Sequence, residues 1–160
     1  MYPRKAHELA LQINQPDLPN HIRHFLFSQR HPDDPFPTRD QDVSLTNFDD
    51  KISVFHSTNA TYYAPSDHSG TYGMSKQCIR STPNWRQGPP RQDCIFIEKD
   101  PELDGMHGLH VAQVLLFLLF NSHQTPYPCA LVQWFVAVGD APCNDTGIWI
   151  VKPELEDDGT

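Results

Sequence analysis

VAQVLLFLLFNSHQTPYPCALVQWFVAV, Val111–Val138, is the stretch on which the fold turns. Two apolar runs flank a polar segment that holds Pro126 and Pro128. That pattern predicts two antiparallel strands joined by a longer loop, NSHQTPYP. Each run is too short to cross a bilayer as a helix, which takes roughly 20 apolar residues. The second run carries Val132, Trp134, Phe135, Val136 and Val138, side chains that suit a pleated surface. The first, with Leu115, Leu116, Leu118 and Leu119, has the composition of a buried helix as much as of a strand. Its partner run and the proline-bearing segment favour the hairpin. So continuous an apolar pattern predicts a central strand pair covered on both faces.

The 160-residue chain fits one domain with a genuine core. Its 15 prolines, about twice the ~5 % norm, favour short strands and turns over long helices. The expected class is mainly β, a β-rich α+β protein. Its architecture is a small twisted antiparallel sheet or barrel with a short N-terminal helical arm. A helix is expected over Pro19–Gln29, capped by Asp17 or Asn20, with Ile22, Phe25 and Leu26 on one face. Lys5–Ile13 reads as a shorter helix or a frayed terminus. The Pro- and Asp-rich segment His31–Asp42 reads as a linker. It divides the chain into an arm and linker at 1–42, a body at 43–153 and an acidic tail at 154–160. In the body, strands are expected at Ile52–Ser57, Ala60–Ala64, Asp93–Glu98 and Gly147–Val151. Met74–Arg80 is a strand or a short helix, and Gly105 and Gly108 are candidates for positive φ.

The net charge of −8 argues against a uniformly cationic nucleic-acid coat but leaves room for a local basic face. One exists in the sequence. From His68 to Gln92 the chain carries Lys76, Arg80, Arg86 and Arg91 and no acidic residue, with Tyr72 and Trp85 interleaved. Guanidinium groups fork onto phosphates and exposed rings stack on bases, so Lys76, Arg80, Trp85, Arg86 and Arg91 form the candidate nucleic-acid site. The competing reading makes Trp85 a core plug and pairs Arg86 or Arg91 with Asp93 or Glu98. A second candidate is a peptide pocket of Tyr62, Tyr63, Trp134, Phe135 and Trp149, an aromatic cage for a methylated lysine. The competing reading there is simple core filling.

Catalytic and metal signals are weak. There is no G-x-S-x-G motif, no phosphate-cradling Gly-rich loop, and the carboxylate runs read as solvated. His21/His24 and His107/His110 each form H-x-x-H, but no further ligand sits at a matching spacing, so no metal site and no cofactor are expected. Cys94 and Cys129 read as buried free thiols. With no signal peptide apparent in MYPRKAHELA, the chain is expected to be intracellular.

The ordered series SVFHSTNATYYAPSD, GMSKQCIRSTPNWRQGPPRQDCIFI, GMHGLHVAQVLLF, YPCALVQWF, VGD and DTGIWIV resembles a stretch near the C-terminus of proteins encoded by Plavaka/KDZ-class fungal DNA transposons. The resemblance runs from about His21 to Asp158. In that family the region lies downstream of an RNase-H-like catalytic core, whose carboxylates have no counterpart here. The resemblance therefore implies an accessory domain of a transposon protein, or a stand-alone remnant; the leading expectation is a non-catalytic interaction module that contacts DNA or a chromatin protein, with a nuclear location. The strand pattern is also similar, more weakly, to BAH-type chromatin-reader barrels. An alternative of another class is a structural domain without a ligand, self-associating through a strand edge at Ala60–Ala64 or Gly147–Val151.

Overall fold

A computed structural model describes residues 2–33, 48, 51–64 and 71–155. Two helices, α1 (Ala6–Gln12) and α2 (Leu18–Arg30), precede eight strands. The strands are β1 (Ile52–Phe55), β2 (Ser57–Tyr63), β3 (Met74–Thr82), β4 (Arg91–Gln92), β5 (Cys94–Glu98), β6 (Leu109–Ser122), β7 (Thr125–Ala137) and β8 (Val151–Pro153). The protein is mainly β, as its apolar runs and prolines predict. One sheet runs β1-β6-β7-β8, with β5 also paired to β6, and a second runs β2-β3-β4.

The long apolar run is a strand. Along β6, Ala112, Val114, Leu116, Leu118 and Phe120 are buried, whereas Val111, Gln113, Leu115, Phe117 and Leu119 are half-buried. The period of two selects strand over helix, since a helix would bury every third or fourth residue. Strands pair with β6 on both sides, so it is central.

The barrel expectation is corrected: neither sheet closes on itself. The sequence placed separate strands at Ile52–Ser57 and Ala60–Ala64, with a bulge between them as the way they could run on in one sheet. Instead the chain changes sheets at His56, leaving β1 beside β6 and β2 beside β3. A barrel needs an unbroken cycle of pairings with consistent stagger, and a sheet switch interrupts it. The last strand also falls later than expected, on Val151–Pro153 rather than Gly147–Val151.

The loop of the central hairpin is shorter than predicted. Asn121 and Ser122 end β6 and Thr125 begins β7, so only His123 and Gln124 make the turn. Both have positive φ, 50° and 66°, the backbone of a type I′ turn. In such a hairpin the residues flanking the turn exchange hydrogen bonds and alternate residues thereafter do not. Pro126 and Pro128 thus fall where no N–H is needed by β6. They blunt the outer edge of β7 instead.

The chain folds as two compact units, 1–54 with 118–129 and 55–117 with 130–160. In the first, α1 buries Ala6, Leu9 and Ala10, and α2 buries Leu18, Ile22, Leu26 and Phe27. Asp17 occupies the N-cap position of α2, yet neither it nor another side chain makes a capping hydrogen bond. Phe120 lies at the centre of an aromatic group. Tyr127 stacks on it at 5.6 Å, and Phe25 and Phe48 meet it edge-on at 6.3 and 5.7 Å. Arg30 donates to Ser122 Oγ at 3.0 Å, joining α2 to the hairpin tip. The Ile52 N–H donates to the Arg4 carbonyl at 2.6 Å, so the residues before α1 are tied down rather than frayed. Of the linker, residues 34–42 lie outside the described residues, as does the acidic tail from 156 onward.

In the second unit the buried Ser81 Oγ donates to the Leu115 carbonyl at 2.7 Å, and Val114 N–H reaches the Asp93 carbonyl at 3.0 Å. Gly105 has φ 62°, as expected. Gly108 is a glycine for a different reason: it is buried, and a Cβ there would collide with the carbonyls of Asp100 and Leu103.

Two stability measurements follow. Replacing His123-Gln124 by Asn-Gly should stabilise the protein by about 1 kcal/mol or more, because both residues occupy the strained left-handed region. A urea midpoint that falls would contradict the turn geometry. Gly108→Ala should cost about 1–3 kcal/mol in the same assay, since the Asp100–Asp104 loop must shift to admit a methyl.

Candidate nucleic-acid interface

The candidate site sits on the three-stranded sheet and the loop that joins β3 to β4. In antiparallel register Ser57 faces Arg80, Asn59 faces Cys78, and Thr61 faces Lys76. Thr82 faces Arg91. Lys76, Cys78, Arg80, Thr82 and Arg91 therefore project from one side of the sheet. The opposite side of β3 contains the buried Ser75 and Ser81. Lys76 and Arg80 are four residues apart along one strand face, a separation of about 13 Å.

The β3–β4 loop brings Trp85 into this group. A turn over Trp85–Gly88 is closed by the Gly88 N–H on the Trp85 carbonyl at 2.9 Å, and the Trp85 N–H reaches the Pro89 carbonyl at 3.2 Å. Arg86 and Gln87 both have positive φ, 51° and 64°. A Cβ on Gly88 would press on the Trp85 carbonyl at 3.1 Å.

Three guanidiniums gather around the half-buried indole. Arg80, Arg91 and Arg86 lie 4.8, 4.9 and 5.3 Å from its ring centroid. Cation–π attraction, about 0.5–1 kcal/mol at an exposed site, offsets part of the repulsion between them. Among the described residues one carboxylate serves the group. Asp93 accepts from Arg91 Nε at 2.7 Å and from the Arg80 backbone N–H at 2.9 Å. Among the described residues no carboxylate reaches the guanidinium of Arg80 or Arg86. Burial pushes the Asp93 carboxyl up. The Arg91 hydrogen bond, the Arg80 N–H and the charges of both arginines outweigh that and hold it below its usual value. The hydrogen bond to Asp93 raises Arg91 in turn.

Beside this group lies an open concavity of about 960 Å³, lined among others by Tyr62, Lys76, Arg80, Arg91, Asp93 and Phe96. Its charged lining residues are three cations and one carboxylate.

The structure thus brings Arg80, Trp85, Arg86 and Arg91 together and sets Lys76 on the same face. Elements of both sequence readings are present: Arg91 does pair with Asp93, but Trp85 carries arginines rather than plugging the core. Its ring is engaged by guanidiniums, so it acts as their platform more than as a surface for bases. Asp93 is the site residue that the sequence reading treated only as a partner. Its position two residues after Arg91, at the entry to β5, was the available signal.

The five aromatic residues have different neighbours among the described residues. Tyr62 lines the concavity, whereas Tyr63 is exposed at the end of β2. Trp134 meets His110 edge-on at 5.4 Å and Trp149 meets His107 at 5.2 Å. Phe135 sits opposite Pro153. His107 and His110 are thus each taken up by a different tryptophan. Among the described residues no three of His, Cys, Asp and Glu converge as metal ligands. Cys94 is exposed rather than buried, while Cys129 is half-buried and burial pushes its thiol up. Hydrogen bonds from Thr146 and the Asp145 and Thr146 backbone lower the Cys143 thiol.

No family model matches the chain, and neither a curated protein nor a solved structure matches it.

A depressed carboxyl stabilises the fold above its unfolded pKa, and that contribution disappears as pH falls through the folded value. Wild-type stability should therefore decline on acidification below about pH 4, where an unperturbed Asp protonates. Asp93→Asn should be less stable than wild type at neutral pH and should approach it at pH 2. Parallel urea midpoints across this range check the claim, and a constant gap would refute it.

Proposed function

We propose that this chain is a non-catalytic module that holds the phosphate backbone of DNA on its Lys76/Arg80/Arg86/Arg91 face. One observation carries the reading: three guanidiniums crowd one indole while, among the described residues, a single carboxylate neutralises only part of their charge. Like charges held this close raise the local potential, and an anion with several negative groups at regular spacing relieves it. Guanidinium groups fork onto phosphate oxygens, and Lys76 adds a point charge further along β3. Trp85 positions the arginines. Phosphate contact of this kind carries no sequence information by itself, so binding is expected to be tolerant of base sequence. The resemblance of Ser53–Asp67, Gly73–Ile97 and Tyr127–Phe135 to an accessory region of transposon proteins supports a DNA partner and a nuclear setting.

Fluorescence anisotropy with a labelled oligonucleotide at about 50 mM salt tests this. Wild type should bind with an affinity that falls as salt rises. The double variant Lys76→Ala/Arg86→Ala removes two cations that make no ion pair among the described residues. It should bind at least tenfold more weakly and lose about 1.4 from the log–log salt slope, at ~0.7 per phosphate on a single strand. Trp85→Ala should also weaken binding, through dispersal of the arginines. A chain that ignores DNA at low salt, or a double variant that binds like wild type, would end the proposal.

A further inference from the structure

Among the described residues, the strand β2, Ser57–Tyr63, is an outer strand of its sheet and pairs only with β3. Two flanking hydrogen bonds fix which of its groups face inward. Ala64 N–H donates to the Gly73 carbonyl, and Ser81 N–H to the His56 carbonyl. Both pairs continue the β2–β3 register, so the even-numbered residues bond β3. The N–H and C=O groups of Ser57, Asn59, Thr61 and Tyr63 point outward. Among the described residues, nothing pairs with them.

Natural edge strands are guarded by charge, proline, a bulge or brevity. STNATYY has no charge and no proline, pairs with β3 in unbroken register, and is seven residues long. It is also nearly all exposed, with only Ala60 half-covered.

We propose that this edge pairs antiparallel with the same strand of a second copy, about a two-fold axis through Ala60. The register follows from the strand itself. Centred on Ala60, Asn59 faces the partner's Thr61, and Ser57 faces the partner's Tyr63. In that register every outward residue meets another outward residue, and each such pair exchanges two hydrogen bonds. Shifting the register leaves some of these groups unpaired. Ala60 meets its own copy at the axis, where side chains come closest and a methyl fits. Tyr62 falls beside Thr58 of the other copy, an aromatic–β-branched pair of the favourable kind. A strand without charged side chains meets itself without the like-charge opposition that two copies of a −8 chain would otherwise bring.

A two-fold axis normal to the sheet keeps corresponding faces on the same side. Two three-stranded sheets become one of six strands. The Lys76/Arg80 row of one copy then lies on the same face as that of the other, with the two β3 strands about 14 Å apart. Dimerisation stands independently of the DNA reading. The added consequence, that the dimer presents two phosphate-binding rows to one nucleic acid, rests on it.

Sedimentation equilibrium at about 100 μM without DNA should give twice the 18.3 kDa chain mass. Thr61→Pro removes an outward N–H and none that bonds β3, so it should yield a folded monomer with an unchanged circular dichroism spectrum. Ala60→Cys should form an inter-chain disulfide on mild oxidation, identified by peptide mapping, because facing residues lie within disulfide reach. Tyr63→Cys, displaced from the axis, should not link to itself. A monomeric wild type, a dimer indifferent to Thr61→Pro, or Ala60→Cys that fails to cross-link would each overturn the pairing. Loss of DNA affinity in a chain that still dimerises would instead strike at the phosphate-binding reading.

Discussion

The alternation along β6 constrains the rest of the protein. Its even-numbered side chains from Ala112 to Phe120 are buried, and its backbone is paired on both edges. Each buried Val, Leu or Phe removes about 1.5–3 kcal/mol worth of apolar surface from water. A slip of one residue would exchange that row for the half-buried odd row, so the register is strongly specified. The strand passes through both compact units, its end Leu118–Ser122 in one and the remainder in the other. The same local pattern therefore supplies part of each core.

Two turns store backbone strain. At Arg86-Gln87 and at His123-Gln124, paired residues with side chains adopt the left-handed conformation that glycine and asparagine favour. At the hairpin tip the neighbouring aromatic group around Phe120 and the Arg30–Ser122 hydrogen bond hold the turn in place. At Trp85–Gly88 the turn lifts an arginine and an indole into one cluster.

The electrostatics of that cluster depend on three different attachments. Arg80 comes from a strand, Arg91 from a short partner strand, and Arg86 from the turn between them. Asp93 fixes Arg91 and the backbone of Arg80. The balance is one of partial neutralisation. Enough negative charge is present to hold the group together, and too little to quench it.

Much of this was legible in residue order. The runs around Val111–Val138 specified a hairpin, because alternation and β-branched composition act locally. The helix beginning near Pro19 and the strand at Cys94–Glu98 were readable for the same reason. The basic window was visible as a run of Lys and Arg without acids. What the order of residues left open was non-local. Whether a sheet closes depends on which edges meet, and the switch at His56 is a matter of long-range hydrogen bonds that no window of sequence contains. The two-residue turn was hidden because prolines usually signal loops, whereas Pro126 and Pro128 sit where a strand needs no donor. The meeting of Arg80, Arg86 and Arg91 on Trp85 likewise required the β3–β4 register, since only pairing converts spacing along the chain into distance across a sheet.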